Sequence, residues 1–244
     1  MESEVIFGTR TVIEAISAGK EVDKVLVQKG DRSELVQELL TLARQHHVPV
    51  SLVPVEKLNR VTRKNHQGVI AFLSAVTYAS LDNIINECYT QGRDPFLVLL
   101  DQVTDVRNFG AVARTAECLG VDALVVPTKG QARIGGDAMK TSAGALNYLP
   151  VCRVGNLRES LVYLRNSGIR IIACTEKADQ SLPQIDLRGP VALLLGSEEY
   201  GIAAEHLRIA DELVKIPMSG HIASLNVSVA AAIGMYEVVR QRGV

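Results

Sequence analysis

Hydrophobic residues follow two different patterns along the chain. Up to about residue 75, segments with apolar residues at helical spacing alternate with strand-like runs. Helices are predicted at 9–19 and 34–47, and strands at 22–30, 48–53 and 68–76. This alternation predicts a small α/β unit of its own. The polar segment 80–94 follows it and is expected to be a helix or a linker.

From Pro95 onward the apolar runs are short and continuous, which is typical of strands that are covered on both faces. Such strands are predicted at 96–100, 123–127, 169–174, 191–196 and 212–217, and helices at 110–120, 156–168, 203–210 and 225–242. Alternating strands and helices predict a mostly parallel sheet, with a ligand site at the carboxyl ends of its strands.

Composition places the chain among ordinary globular proteins: 47% of its 244 residues are hydrophobic and 22% are charged. The longest apolar stretches, 96–100 and 191–195, fall far short of the roughly 18 residues of a membrane span. The first residues are acidic where a signal peptide would be basic, so a cytoplasmic location is expected. Four widely spaced cysteines without a C-x-x-C pair indicate neither a zinc site nor a disulfide frame.

Charge gives only a local indication of a partner. The net charge is −1, but the run 57–68 contains Lys57, Arg60, Arg63 and Lys64 without an acidic residue. Such a run is either a solvated loop or an edge that contacts RNA, and the residues leave both open. The absence of Trp and an aromatic content of 4% argue against a base-stacking platform.

Glycine placement excludes the common nucleotide sites. The first strand-to-helix turn of the parallel region, 101–116, contains a single glycine, Gly110, so a Rossmann fingerprint and a P-loop are both missing. Gly196, Gly201 and Gly220 instead follow late strands, where they provide tight turns or a close approach of the backbone. Ser224 or Asn226 is placed to cap the last helix.

Three segments carry a family resemblance. NFGAVARTA at 108–116, LLGSEEYGI at 194–202 and IPMSGHIASLNVSVAAAI at 216–233 resemble, in order, the three motifs of the SpoU (TrmH-type) RNA ribose 2′-O-methyltransferases of the SPOUT superfamily. FGTRTVIEAI at 7–16 and NHQGVIA at 65–71 are similar to the L30e-like RNA-binding domain of the RlmB-type members. Together these resemblances cover nearly the whole chain.

The resemblance implies an α/β protein with an L30e-like RNA-binding domain at 1–78, a linker at 79–92 and a methyltransferase domain at 93–244. That last domain would contain a parallel sheet and a deep trefoil knot that holds S-adenosylmethionine. A homodimer through the C-terminal domain is also implied. No metal is expected, because the sulfonium already activates the methyl group.

The resemblance also assigns residues to the site. It implies that the catalytic residues are Asn108, Arg114, Glu198, Ser224 and Asn226, and that the cofactor is bound by Leu195, Gly196, Ile216, Ser224, Leu225 and Asn226. Taken singly, these residues have structural alternatives. Asn108 and Asn226 could be helix caps, and Glu198 and Arg114 could form a surface ion pair.

Basic side chains near these motifs are expected to contact RNA. Arg107 lies where many relatives have a polar residue, and Arg133 is equally compatible with a solvated loop. Because guanidinium stays protonated in proteins, we expect Arg114 to bind the target phosphate and stabilise the developing alkoxide, not to act as a base. His221 is interpreted as a surface residue of a turn.

The function implied is S-adenosylmethionine-dependent 2′-O-methylation of a guanosine in 23S rRNA, with single-stranded RNA as the accessible target. Two alternatives stay open. One is a tRNA guanosine 2′-O-methyltransferase, and the other is a non-catalytic RNA-binding or ribosome-assembly protein of the same fold.

Overall fold

The chain folds into two compact units. The computed structural model describes residues 5–222 and 224–243. Unit 1 contains residues up to 77 together with 133–137, and unit 2 contains 78–132 and the residues from 138 onward. Each unit is built on a sheet with a hydrophobic core of its own.

Unit 1 is a four-stranded mixed sheet with the strand order β1-β4-β2-β3. Strand β4 is antiparallel to β1 and β2, and β2 is parallel to β3. Its elements are β1 (Val5–Phe7), α1 (Thr9–Ser17), β2 (Val22–Gln28), α2 (Glu34–Gln45), β3 (Val50–Val53), α3 (Val55–Val61) and β4 (Val69–Leu73).

The two faces of this sheet are covered by different helices. Successive side chains of a strand point to opposite faces, so Val25 and Val27 join one core while Leu26 joins another. The first core takes its helical residues from α1 and α2. The second takes Leu58, which is fully buried, from α3. The basic run 57–68 is therefore not a loop throughout, because its first residues belong to a packed helix.

Residues 133–137 belong to unit 1 although they are distant in sequence. The backbone N–H of Ile134 donates to the carboxylate of Asp23 at 3.0 Å, and its carbonyl accepts from the N–H of Ala75 at 2.7 Å. Asp23 is buried, so this hydrogen bond satisfies a carboxylate that would otherwise lose its solvation. Hydrophobic patterning gave no indication of this contact.

Unit 2 is a seven-stranded sheet with the order β7-β6-β5-β10-β8-β11-β9, and every neighbouring pair is parallel. Its strands are β5 (Phe96–Asp101), β6 (Ala123–Pro127), β7 (Val151–Val154), β8 (Arg170–Cys174), β9 (Gln180–Ser181), β10 (Val191–Gly196) and β11 (Glu212–Lys215). The parallel sheet predicted from the continuous apolar runs is confirmed.

Helices cover both faces of this sheet. They are α4 (Leu81–Thr90), α5 (Val106–Cys118), α7 (Leu157–Asn166), the short α8 (Ala204–Leu207) and α9 (Val227–Arg242). Helix α6 (Gly136–Thr141) begins in unit 1 and ends in unit 2. The segment 80–92 is largely α4, whose Ile85 and Cys88 are buried. No helix among the described residues is both long and apolar enough to cross a bilayer.

The order of the strands determines where loops meet. From β5 the chain proceeds through β6 to β7 on one side, whereas β10 and β8 lie on the other side of β5. Because all seven strands are parallel, the loops that follow them converge at one edge of the sheet. On the two sides of the boundary between β5 and β10, the chain adds strands in opposite directions. Open α/β sheets bind ligands at the carboxyl ends of the strands next to such a boundary.

Gly110 lies at a tight contact between α5 and the end of α6. A Cβ at this position would lie 2.0 Å from Oγ1 and 2.6 Å from Cβ of Thr141. Alanine is otherwise the better helix former, so only this contact explains glycine in the middle of α5.

Replacing Gly110 by alanine is expected to lower the free energy of unfolding by about 1–3 kcal/mol, because α5 has to move away from Thr141. Urea unfolding measures this change. Gly189→Ala is the matched control, since a Cβ there meets nothing within 4 Å. Equal unfolding midpoints for the two variants would contradict the proposed packing.

Candidate active site

Three polar side chains from distant parts of the chain form a hydrogen-bonded cluster, which we call the polar trio: Asn108, Glu198 and Asn226. Asn108 Nδ2 donates to Glu198 Oε1 at 3.1 Å, and Asn226 Nδ2 donates to Asn108 Oδ1 at 3.0 Å. Asn226 Nδ2 also donates to Glu198 Oε1. Glu198 Oε2 makes no hydrogen bond with a described residue, so it is available to a ligand.

The amino-terminal ends of two helices position the trio. Asp105 caps α5, where its Oδ1 accepts from the N–H groups of Arg107 and Asn108, both at 2.8 Å. Asn226 caps α9, where its Oδ1 accepts from the N–H of Ser228 at 2.9 Å. The positive ends of both helices therefore lie near the Glu198 carboxylate and stabilise its charge.

The hydrogen bonds show which of these residues are helix caps and whether Glu198 pairs with Arg114. Asn226 is a helix cap and a member of the trio at once, whereas Asp105, not Asn108, caps α5. No ion pair joins Glu198 to Arg114 in the described parts of the chain. Arg114 is exposed and follows Asn108 by six positions, which turns it about 120° around the helix.

The loop after β10 explains the glycines of the second motif. Ser197 and Gly201 exchange two backbone hydrogen bonds, at 3.2 and 2.9 Å, and so close a tight loop that carries Glu198. A Cβ on Gly196 would lie 2.1 Å from the carbonyl carbon of Gly201, and Gly201 has φ +68°. The close approach predicted from these glycines is thus to the loop's own backbone.

A cavity of about 200 Å³ opens at the carboxyl ends of β8, β10 and β11. Five of the six predicted cofactor-binding residues line it: Leu195, Gly196, Ile216, Ser224 and Leu225. The sixth, Asn226, belongs to the trio, and its neighbour Val227 lines the wall. Glu198 also lines this cavity, which therefore contacts the trio directly.

Sequence reasoning missed part of the cavity wall. Cys174, Thr175, Glu176 and Lys177, at the end of β8, line it together with Tyr200 and Met218. The signal was available, because 169–174 is a predicted strand whose carboxyl end has to reach the same edge of the sheet. Burial raises the pKa of the Cys174 thiol to about 12, so Cys174 itself is neutral at ordinary pH.

The described residues between Pro217 and Leu225 are exposed. None of residues 217–222, 224 and 225 makes a backbone–backbone hydrogen bond with another described residue. Exposed backbone N–H and C=O groups of this kind pair with water or with a ligand. Met218, Ser224 and Leu225 place this part of the backbone at the cavity wall, beside Leu195 and Ile216.

The basic side chains predicted to contact RNA lie in both units. Those of unit 1 are exposed at Lys57, Arg60, Arg63, Lys64 and Arg133. The Arg133 guanidinium stacks on the Phe72 ring at 3.9 Å, and the Lys64 ammonium lies 5.7 Å from the Phe7 ring. In unit 2, Arg107 is exposed in the first turn of α5, and His221 is exposed in the third motif.

A metal site is not evident in the described part of the chain, where no group of three or more His, Cys, Asp or Glu side chains could hold an ion.

Comparison with known proteins identifies the family. The family described as "SpoU rRNA Methylase family" matches residues 95–236, and that described as "RNA 2′-O ribose methyltransferase substrate binding" matches residues 5–79. A Bacillus subtilis protein named as a TrmH family tRNA/rRNA methyltransferase is 32% identical over 241 residues, which cover 99% of this chain and 97% of the relative. A relative of the same family name from Staphylococcus epidermidis is 36% identical over 244 residues, with the same coverage.

A solved structure agrees with these relatives. The SpoU methyltransferase AviRb from Streptomyces viridochromogenes, crystallised in complex with the cofactor AdoMet, superposes with a TM-score of 0.61 and 28% identity. The match covers 99% of this chain and 91% of that chain. Because family matches extend over both units and these relatives align along nearly the whole chain, the chain belongs to the SpoU (TrmH-type) family of RNA methyltransferases.

Proposed function

We propose that this protein transfers a methyl group from S-adenosylmethionine to the ribose 2′-hydroxyl of a guanosine in 23S rRNA. The observation that carries the proposal is the contact between the polar trio and the cavity, since Glu198 belongs to both. A site that holds a methyl donor next to oriented hydrogen-bonding groups is what transfer to a hydroxyl requires.

The cavity fits the cofactor of the AviRb complex by its chemistry. Leu195, Ile216 and Leu225 provide apolar walls, and the exposed backbone groups at Met218, Ser224 and Leu225 are accessible to polar atoms of an adenosine and an amino acid. Three carboxylates at the wall, those of Glu176, Glu198 and Glu199, outnumber the one cation, Lys177, so the net negative charge favours a cationic ligand. When bound, S-adenosylmethionine supplies a methyl group that its sulfonium already activates.

The trio orients the acceptor. Glu198 Oε1 is occupied by the two amides, while Oε2 can accept the hydrogen bond of a ribose hydroxyl. A hydroxyl held in this way presents its oxygen lone pair in a fixed direction. The carboxylate is the group best placed to receive the proton as the O–C bond forms and the S–C bond of the methyl donor breaks, with the electron pair left on sulfur. Ser224, at the cavity wall, contributes a hydroxyl that can position the ribose.

Arg114 is assigned to the RNA phosphate. It is exposed and forms no hydrogen bond or ion pair with any described residue, so its five donors are available to an anion. Once it binds the phosphate of the target nucleotide, the guanidinium also stabilises the alkoxide of that nucleotide as charge develops. This role needs no deprotonated arginine.

Unit 1 is proposed to select the RNA. It matches a family named for substrate binding of RNA 2′-O ribose methyltransferases, and the exposed cations of 57–64 lie on it. The sequence resemblance to an L30e-like domain favours rRNA. The names of the relatives include both tRNA and rRNA, so modification of tRNA by this protein would be the alternative outcome of the test.

A second copy of the chain is proposed to cover one face of α9. Val229, Ile233 and Tyr236 are separated by four and three positions and are 46%, 38% and 59% exposed, so they form one apolar stripe. A stripe of this kind on a 16-residue helix is typical of a partner surface. Family membership supports the dimer, and it equally supports a trefoil knot in the segment that surrounds the cavity.

The function is tested with labelled S-adenosylmethionine and, as separate substrates, total rRNA and tRNA from cells that lack the gene. Label is expected in rRNA, in dinucleotides that resist alkali, because a 2′-O-methyl group removes the nucleophile of alkaline cleavage. Label in tRNA alone would show that the substrate is tRNA and not rRNA. No label in either RNA would favour a non-catalytic RNA-binding protein.

Arg114→Ala is expected to reduce the rate of methyl transfer by about 10²–10³-fold with unchanged cofactor affinity, since the guanidinium acts on the developing charge. Arg208→Ala, another exposed arginine of unit 2, is the control and is expected to keep the wild-type rate. Near-normal activity of Arg114→Lys would show that a simple charge is sufficient. Normal activity of Arg114→Ala would contradict the assignment.

Leu225→Ala is expected to weaken cofactor binding about tenfold, which corresponds to about 1.4 kcal/mol, because one apolar wall is truncated. Equilibrium dialysis of labelled S-adenosylmethionine measures the dissociation constant. Leu52→Ala serves as the control, since Leu52 is 60% exposed on unit 1. Unchanged affinity of the Leu225 variant would place the cofactor elsewhere.

Ile233→Glu is expected to convert the dimer into a monomer, because a carboxylate cannot be buried unpaired in an apolar interface. Sedimentation equilibrium gives the molecular mass directly. The exposed Leu52→Glu is expected to stay dimeric. A wild-type protein that sediments as a monomer at micromolar concentration would exclude this use of α9.

A further inference from the structure

A buried carboxylate lies at the carboxyl end of β5. The side chain of Asp101, the last residue of this strand, is only 3% exposed. Burial of a carboxylate is costly unless hydrogen bonds or an opposite charge compensate for the lost solvation. Asp101 belongs neither to the polar trio nor to the described lining of the cavity. Its partners therefore have to explain why the carboxylate is buried at this place.

Two donors share one oxygen of this carboxylate. Oδ2 of Asp101 accepts the N–H of Ala203 at 2.8 Å and lies 2.7 Å from Nδ1 of His206. The side chain of His206, a residue of α8, is 9% exposed. Because an ionised carboxylate only accepts hydrogen bonds, the proton of this contact is on Nδ1. The carboxylate thus binds both the residue that precedes α8 and a residue of α8 itself.

Asp101 also holds both ends of the segment that carries Glu198, the loop 197–203 between β10 and α8. At the start of the loop, Gly196 is paired with Asp101 in the parallel register of β10 and β5. At its end, the N–H of Ala203 is bound by the Asp101 side chain. The backbone and the side chain of one residue therefore determine where the loop begins and where it ends.

Hydrogen bonds inside the loop connect Glu198 firmly with the end at Ala203. Ser197 and Gly201 exchange two backbone hydrogen bonds, at 3.2 and 2.9 Å, which close a turn around Glu198. Only Ile202 separates this closed turn from Ala203. Release of Ala203 would therefore let the turn and the Glu198 carboxylate shift together. A shift of about 1 Å in an active site can lower the rate about 10²-fold.

The same strand end leads to a second member of the trio. Four residues after Asp101, Asp105 caps α5 by accepting the N–H groups of Arg107 and Asn108. The end of β5 is thus connected to Asn108 along the chain and to Glu198 through the Asp101 side chain. The hydrogen bond of 3.1 Å between Asn108 Nδ2 and Glu198 Oε1 depends on both connections.

We infer that Asp101 is a positioning residue for Glu198 and that His206 keeps the Asp101 carboxylate in the orientation that binds Ala203. Asp101 acts on the site through loop 197–203. The effect on methyl transfer rests on the proposed function, whereas the position of Glu198 is measured in the protein without any substrate.

Hydrogen exchange of two side-chain amides reports the position of Glu198. The Nδ2 groups of Asn108 and Asn226 both donate to Glu198 Oε1, so their exchange with water becomes faster when the carboxylate moves away. NMR of ¹⁵N-labelled protein measures this exchange. Asp101→Ala is expected to accelerate it about tenfold or more, which is the effect of losing a hydrogen bond to a charged group.

Asp122→Ala is the matched control. The Asp122 side chain is 12% exposed and accepts the N–H of Phe96 at 2.8 Å, so it makes the same kind of bond at the opposite end of β5. This variant loses a bond between a carboxylate and the backbone but leaves loop 197–203 intact, and both amides are expected to exchange at the wild-type rate. Thermal unfolding shows up to which temperature each variant is folded, and exchange is measured below it.

Ala203→Pro breaks the same contact from the side of the loop and keeps the carboxylate. Ala203 has φ −59°, which proline adopts, but proline places a ring carbon where the N–H was, so the end of the loop has to separate from Asp101. Exchange of both amides is expected to accelerate as in Asp101→Ala. Wild-type exchange in Ala203→Pro would overturn the proposal, whether or not Asp101→Ala folds.

Two substitutions test His206. His206→Ala removes the donor to Asp101 and is expected to accelerate exchange of the two amides severalfold. His206→Asn is expected to restore wild-type exchange, because its side-chain amide can donate to Asp101 in place of Nδ1. Equal acceleration in the two variants would overturn the role of His206.

Methyl transfer distinguishes failure of this inference from failure of the proposed function. With saturating rRNA and S-adenosylmethionine, Asp101→Ala is expected to react about 10²-fold more slowly than the wild type, and Asp122→Ala at the wild-type rate. Faster exchange with an unchanged rate would overturn the positioning role, and so would a slower rate without faster exchange. A wild type that methylates no RNA, with accelerated exchange in Asp101→Ala, would overturn the proposed function and leave Asp101 as the anchor of Glu198.

Discussion

The hydrogen bonds that join Asn108, Glu198 and Asn226 are the interaction on which the site depends. They connect the start of α5, the loop after β10 and the start of α9, segments that lie 90 and 118 positions from Asn108. A parallel sheet delivers these segments to one edge, but only the side-chain contacts fix their relative position. The orientation of both side-chain amides is fixed by their partners. The Glu198 carboxylate can only accept, so each Nδ2 faces it, and the Ser228 N–H can only donate, so Asn226 Oδ1 faces Ser228. The trio is therefore preorganised before any ligand binds, which is the condition for electrostatic stabilisation of a reacting group.

Much of the fold could be predicted from the pattern of apolar residues. Continuous runs such as 96–100 and 191–196 predicted buried parallel strands, and the structure has β5 and β10 there, paired with each other. Short elements were missed, because α3 and β7 bury too few residues to produce a period. The contact of Ile134 with Asp23 could not be predicted from the sequence either, since a single buried carboxylate leaves no periodic signal. The beginning of α5 was placed too late, at Gly110, because the Asp105 cap precedes the first apolar residues of the helix.

The site was predictable to the extent that it depends on local motifs. Glycines and small polar residues after late strands indicated loops that approach closely, and the structure places Gly196 against Gly201 and lines a cavity with Ser224 and Leu225. Family resemblance, not spacing, connected Asn108 with Glu198 and Asn226. Arg114 does not join them, since no partner holds its side chain against α5. The pair of Asp101 and His206 could not be found from the sequence, because two ionisable residues 105 positions apart meet only through the order of the strands.

One measurement tests most directly that the trio and the cavity form a single site. In an NMR experiment with S-adenosylmethionine labelled with ¹³C at its methyl group, we expect nuclear Overhauser contacts from that methyl group to the side-chain amides of Asn108 or Asn226. Contacts to residues elsewhere in the protein, with none to these amides, would show that the trio and the cavity are separate sites.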